Sequence, residues 1–175
     1  MNNCYLDAEA VITFFRMTGR KHIFITGIRG SGKSNLVNNM LKHMSDSFNL
    51  LQSHRTDTPQ VVIKSNLVAD NKEFVIGVPR TSEINPASKG NNMTIIEDGF
   101  INCAIPAIDT HLDTTPERLF VIDELGYLES SCIPFQKAVE KLLDNSHVLA
   151  VIRKQSTEFL NRICNRKDVL VTDSV

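Results

Sequence analysis

A chain of 175 residues carrying 19 Lys+Arg against 20 Asp+Glu, for a formal charge of −1, is long enough for one domain with a proper core and short for two, and it lacks the global basic field that draws in nucleic acid. Residues 1–175 are therefore read as a single domain with no nucleic-acid partner. No run of 18 apolar residues occurs, and the opening residues, with Asp7 and Glu9, form no basic leader before an apolar stretch, so neither a membrane partner nor a secretory signal is expected, and a cytoplasmic location is.

The first predicted element is an amphipathic helix over 7–18, within an amino-terminal segment 1–20. Asp7 caps it, Ala8, Val11, Ile12 and Phe15 form its apolar stripe, and Gly19 ends it. It is expected to pack on the domain, with docking of a protein partner as its alternative use. The apolar run Ile23-Phe24-Ile25 reads as a buried strand. It leads into Gly27-Ile28-Arg29-Gly30-Ser31-Gly32-Lys33-Ser34, which fits the phosphate-binding (Walker A) pattern G-x-x-x-x-G-K-[ST]. Leu36, Val37, Met40, Leu41 and Met44 then recur at helical spacing, so strand, glycine loop and helix come in the order that motif requires.

Between 50 and 115 the sequence diverges from any simple pattern. Val61-Val62-Ile63 and Phe74-Val75-Ile76-Gly77-Val78 read as strands joined through a turn at Asp70-Asn71, a β-hairpin insertion. Residues 85–92 have loop chemistry, a further strand is expected from Met93 to Ile96, and 101–108 carry no decisive pattern. Regular order returns with the strand Leu119-Phe120-Val121-Ile122-Asp123-Glu124 and a tight turn at Gly126. A helix follows that has Pro134 in its first turn and Phe135, Ala138, Val139 and Leu142 on one face. A strand from His147 to Ile152, a helix from Thr157 to Cys164 and a last strand Val169-Leu170-Val171 complete the chain. Strands alternating with helices imply an α/β fold, a mainly parallel sheet with helices on both faces. Such sheets bind ligands at the carboxyl ends of their strands, where Gly27 and Asp123 both fall.

The chemistry follows from residue type. The candidate nucleotide-binding residues are Gly27, Ile28, Arg29, Gly30, Ser31, Gly32, Lys33, Ser34 and Asn35. Glycine in such a loop lets backbone N–H groups approach phosphate oxygens at the positive end of the following helix. Lys33 is placed to reach the β/γ-phosphates and the Ser34 hydroxyl to ligate Mg²⁺. On the second acidic (Walker B) strand Asp123 is the expected Mg²⁺ residue, and Glu124 the candidate base that orients and deprotonates water. A water-activating carboxylate favours hydrolysis over transfer to a small molecule. Glu129 is a further candidate, returning towards the site after Gly126, with a solvated surface acid as the alternative. Arg153, directly after a strand, is a candidate arginine finger, with Arg162 and Arg166 as competitors. Cys4, Cys103, Cys132 and Cys164 form no C-x-x-C pair and the five histidines show no metal-site spacing, so both sets are read as packing or surface residues.

Ile23-Phe24-Ile25-Thr26-Gly27 with its loop, the block Asp123-Glu124-Leu125-Gly126-Tyr127-Leu128-Glu129, the downstream Phe135, Ala138 and Val139, and Arg166-Lys167-Asp168-Val169 resemble the cancer-related nucleoside-triphosphatase family, with its D-E-[IL]-G-x-[ML]-E signature. The resemblance covers 21–47 and 119–171. It implies a RecA-like domain with Mg²⁺-dependent hydrolysis of ATP, GTP and other nucleoside triphosphates. The alternatives are a nucleotide-dependent switch that binds a protein partner, and a small-molecule kinase.

Overall fold

The structure is a computed structural model that describes residues 7–44, 47–80 and 93–174; the predicted loop 85–92 and Cys4 lie outside these residues. Helix α1 (Ala8–Thr18) starts where the Asp7 carboxylate accepts the Glu9 N–H, and ends at Gly19 with φ 64°. Strand β1 (His22–Thr26), the glycine loop and α2 (Lys33–Met44) follow as expected. Next come β2 (Phe48–Arg55), β3 (Val61–Ser65), β4 (Phe74–Pro79) and β5 (Met93–Ile95). A helical stretch then runs through α3 (Glu97–Gly99), a π turn (Phe100–Ala104) and α4 (Ile105–Thr114). The chain continues with β6 (Leu119–Leu125), α5 (Ile133–Asn145), β7 (His147–Ile152), α6 (Glu158–Cys164) and β8 (Val169–Asp173).

Among the described residues the eight strands form one sheet in the order β5-β4-β3-β2-β6-β7-β1-β8. From β2 to β8 the neighbours are parallel; β3, β4 and β5 extend the sheet antiparallel beyond β2. Period-two alternation divides the core. Ile23, Ile25, Val121, Leu149 and Val151 face α1 and α2, whereas Phe24, Phe120, Ile122, Val148, Ala150 and Ile152 face the layer containing Ile108, Phe135, Leu142 and Phe159. The two-sided apolar runs of β1, β6 and β7 are what a parallel strand covered on both faces demands. Among the described residues no helix is long and apolar enough to cross a membrane.

The predicted hairpin is β3–β4, its turn made by Asp70 and Asn71 at φ 62° and 47°. Two readings of the middle region change. Residues 101–108, left without a pattern by the sequence, are helical. Strand β2, which no sequence pattern announced, lies in the middle of the sheet beside β6. Its polar residues explain the miss. Asn49 is buried and donates from Nδ2 to His111 Nδ1 (2.8 Å) and Thr115 Oγ1 (2.8 Å); His111 Nε2 meets Ser146 Oγ at 2.6 Å, and Ser146 Oγ donates to the Pro116 carbonyl. A buried polar chain so satisfied replaces the apolar alternation by which a strand is usually recognised.

At the head of β1, His22 is fully buried. Its Nδ1 accepts the Val148 N–H at 3.2 Å, and Nε2 lies 3.4 Å from an Asp168 oxygen. Protonation would place an N–H against the Val148 donor. Burial outweighs the pull of Asp168 and pushes the imidazole down to about 4. A folded-state value below the unfolded one means that the unfolded chain takes up the proton first, so stability is full above the ordinary histidine value and falls as pH drops from about 6.5 towards 4. Urea unfolding at pH 7 and pH 5 is expected to show about 2 kcal/mol more loss in the wild-type protein than in His22→Asn, which keeps an acceptor for Val148 and cannot titrate.

Candidate active site

The phosphate loop is built by backbone freedom and by bracing from the next strand. Gly27, Gly30 and Gly32 hold φ of 150°, 79° and 84°, a region glycine enters without steric cost. Gly27 is also a point of close approach: a Cβ there would overlap the Ser174 hydroxyl and lie 2.7 Å from Ser31 Oγ. Those two hydroxyls bond each other at 2.6 Å, and Ser174 N donates to Thr26 O at 2.8 Å, so the residue after β8 supports the loop from the side. Lys33 is only 7% exposed and donates from Nζ to Gly27 O (3.1 Å) and Ile28 O (2.8 Å). An ammonium has three N–H groups, so one is left for an anion in the cradle. Arg29, Ser34 and Asn35 are exposed along the loop and first helical turn, and Ile28 is 64% exposed.

The acidic arm faces this loop because of strand register. β7 lies between β1 and β6, and both Ile25 of β1 and Asp123 of β6 register with Val151 of β7. The two arms therefore leave the sheet at the same level, two strand spacings or roughly 10 Å apart. That gap is spanned by α2: Ser34 Oγ donates to Asp123 Oδ1 across 3.4 Å. Gln52 of β2, the ladder partner of Asp123, also hydrogen-bonds its carboxylate. Burial pushes the Asp123 carboxyl above its ordinary value, against the bonds from Ser34 and Gln52, and the Glu124 charge adds to the rise.

After Asp123 the peptide bond to Glu124 is cis, and the ladder to β7 shifts register before Leu125. Glu124 Oε1 accepts a bond from Arg153 Nε at 2.5 Å. Glu129 turns inward, 5% exposed. Its Oε2 accepts the Gly126 N–H at 3.0 Å and its Oε1 the Ser53 hydroxyl at 3.1 Å, while burial pushes its carboxyl upward. Glu129 is thus a buried brace of the turn that follows Glu124, rather than a solvated surface acid. Arg162 is engaged by Glu140, Glu158 and Gln136, and Arg166 by Asp144 and Asp168; neither lines the loop or the acidic arm.

Two cavities open on these arms. One, of about 700 Å³, runs along the loop from Gly27 to Asn35 and on to Lys154 and Gln155. The other, of about 690 Å³, lies over β2 and the antiparallel strands, walled by Gln52, Ser53, His54, Tyr127 and Glu129. Arg29, Ser34, Arg55, Glu124 and Arg153 border both, so the cavities meet at the acidic pair. Volumes of this size suit a nucleotide-sized ligand. The wall from β2 was not foreseen: its apolar residues Phe48, Leu50 and Leu51 do not alternate, and the run from Gln52 to Arg55 is polar, so no strand pattern marks it.

A parallel α/β sheet whose glycine loop and acidic strand end are separated by one intervening strand has the architecture of a P-loop nucleoside triphosphatase. The chain belongs to the NTPase family: a family model described as NTPase matches residues 22–173, running through the middle region that the sequence resemblance had left out. Similar proteins include nucleoside-triphosphatase THEP1 of Thermotoga sp. (strain RQ2), 26% identical over 151 residues, covering 85% of this chain and 83% of that protein. The THEP1 of Thermotoga maritima is 24% identical over 150 residues, with coverage of 85% and 83%. Two solved structures share the fold: THEP1 from the hyperthermophile Aquifex aeolicus, TM-score 0.67 and 17% identity, and a human cancer-related nucleoside triphosphatase, TM-score 0.64 and 21% identity. Each covers 87% of this chain and 88% of its own.

The fit at Gly27 makes a local test. Gly27→Ala combines a disfavoured φ with a collision against Ser174 and Ser31, and is expected to cost about 1–3 kcal/mol, seen as a fall in melting temperature of about 2–4 °C for each kcal/mol. Gly30→Ala, where a Cβ meets nothing within 4 Å, carries only the backbone share of that loss.

Proposed function

We propose that this protein hydrolyses nucleoside triphosphates, ATP and GTP among them, to diphosphate and phosphate with Mg²⁺ as cofactor. The observation that carries the reading is the shared register of Ile25 and Asp123 with Val151, which brings a phosphate cradle and a carboxylate pair to one level of the sheet. Membership of the NTPase family supports it.

The donor set fits a hard cation. Mg²⁺ takes oxygen ligands, keeps several waters and binds through one or two protein groups together with substrate phosphates. The Ser34 hydroxyl and the Asp123 carboxylate, facing each other across 3.4 Å beside the loop, are such groups. A Mg²⁺ held by these two groups would supply positive charge to the phosphate tail. Burial raises the Asp123 carboxyl, so a nearby cation also relieves an unfavourable charge.

The remaining steps belong to the chain. Loop amides and the Lys33 ammonium bind the phosphate tail, Lys33 through the N–H group that its bonds to Gly27 O and Ile28 O leave over. Glu124 accepts the proton of a water as its oxygen bonds to the γ-phosphorus and the bond from that phosphorus to the bridging oxygen breaks, leaving diphosphate and phosphate. Glu129 and Ser53 hold the turn from which Glu124 projects: Ser53 Oγ lies 3.4 Å from the Glu124 carbonyl and 3.1 Å from Glu129.

Phosphate release measured with Mg²⁺-ATP and Mg²⁺-GTP tests these roles. Glu124→Gln is expected to lower kcat by about 10²–10⁴-fold while still binding nucleotide. Lys33→Ala is expected to lose both binding and turnover, and chelation of the metal to abolish phosphate release. Wild-type rates from Glu124→Gln would show that another group activates the water.

A further inference from the structure

Of Arg153, Arg162 and Arg166 the fold brings Arg153 to the two cavities, where it is the arginine bonded to the Glu124 carboxylate. It is the first residue beyond β7, the strand between the phosphate loop and the acidic pair, and it borders both cavities. The base of the side chain is fixed. Arg153 N donates to Leu125 O at 2.9 Å and its carbonyl accepts Gln155 N at 2.7 Å, while the stem lies over Gly126, where a Cβ would stand 3.1 Å from Arg153 Cδ. Its tip is different. The side chain is 47% exposed, and of the five guanidinium N–H groups only Nε–H has a hydrogen-bond partner among the described residues, the Glu124 carboxylate at 2.5 Å. Four N–H groups thus remain for an anion beside the group read above as the base.

We propose that Arg153 is an arginine finger supplied in cis, and that its pair with Glu124 is the resting half of an exchange. A bound γ-phosphate takes the guanidinium, and the Glu124 carboxylate, released, takes the attacking water. The step needs no further reactant: one anion replaces another on Arg153, and the proton from water goes to Glu124 as the bond to the bridging oxygen breaks. Without triphosphate the base is occupied, so the chain is set against activating water to no purpose. A diphosphate carries no γ-phosphate and leaves the pair intact.

The inference rests on the hydrolytic reading, and its test separates the two. Dissociation constants are measured for a non-hydrolysable triphosphate analogue and for the corresponding diphosphate, both with Mg²⁺, alongside phosphate release from the hydrolysable triphosphate. Arg153→Ala is expected to weaken the analogue about tenfold or more, as loss of a charge-assisted bond does, to leave diphosphate affinity unchanged, and to lower kcat about 10³-fold. Arg153→Lys, which keeps the charge and loses the fork, is expected to recover analogue binding and only part of kcat. Glu124→Gln, which frees the guanidinium, is expected to tighten the analogue roughly threefold, the scale of a half-exposed ion pair, with no change for diphosphate. The double variant should bind the analogue as Arg153→Ala does. Equal losses for analogue and diphosphate in Arg153→Ala, or kcat within threefold of wild type, overturn the finger; unchanged analogue affinity in Glu124→Gln overturns the exchange. A wild-type protein that binds the analogue selectively through Arg153 yet releases no phosphate would leave the contact standing and remove the hydrolytic reading instead.

Discussion

The hydrogen-bonded ladder that places β7 between β1 and β6 is the constraint on which the site depends. Parallel pairing sets the level at which each strand leaves the sheet, and one residue, Val151, is the common partner of Ile25 and Asp123. Side chains alternate with period two, so a slip of one residue in the β6–β7 ladder would turn Asp123 and Ile122 each to the opposite face, and a slip in the β1–β7 ladder would do the same to Phe24 and Ile25. The apolar residues of β1, β6 and β7 enforce that register from both faces, since Phe24, Phe120 and Ile122 fill one layer and Ile23, Val121 and Leu149 the other. Core packing and catalytic geometry are here one requirement.

Around this frame the polar groups are held in layers of decreasing rigidity. Glu129 is buried and bonded to backbone and to Ser53; Lys33 is buried and bonded to two loop carbonyls; Glu124 and Arg153 are partly exposed and bonded chiefly to each other. Of the groups proposed to meet the γ-phosphate, Lys33 is thus the most firmly held, and Glu124 and Arg153 have the fewest partners. Such an order suits the exchange proposed for Glu124 and Arg153, whose partners can change while Glu129 and Ser53 stay bonded.

Legibility in the sequence followed from how local each signal is. The phosphate loop is a contiguous motif whose positive-φ glycines, helix and strand are all neighbours in the chain, and Leu119–Leu125 is a short apolar run that ends in acids. The helix over Ala8–Thr18 announced itself through Asp7 and Gly19, which act at its two ends as read. Strand β2 did not, because its fit is non-local: Asn49 is satisfied by His111 and Thr115, some 60 residues on, and Gln52, Ser53 and Arg55 are polar because they face a cavity. The helical run from Glu97 to Thr114 was obscured by the π turn at Phe100–Ala104, which shifts the apolar positions off a 3.6-residue repeat, and by Pro106. The pairing of Glu124 with Arg153 is likewise a contact between elements that no spacing in the chain encodes, whereas the return of Glu129 was legible from the turn at Gly126, three residues before it.

The contact between Ser174 and Ser31 has a consequence for heat and denaturant. Among the described residues β8 is an outer strand, paired on one side only, and the residue that follows it is a wall of the glycine turn. Local opening begins where fewer buried contacts and hydrogen bonds hold the backbone. Affinity for a phosphate tail should therefore decay before the molecule melts, as the margin of the sheet peels away and the turn loses its buttress while β6 and β7 stay folded at the centre.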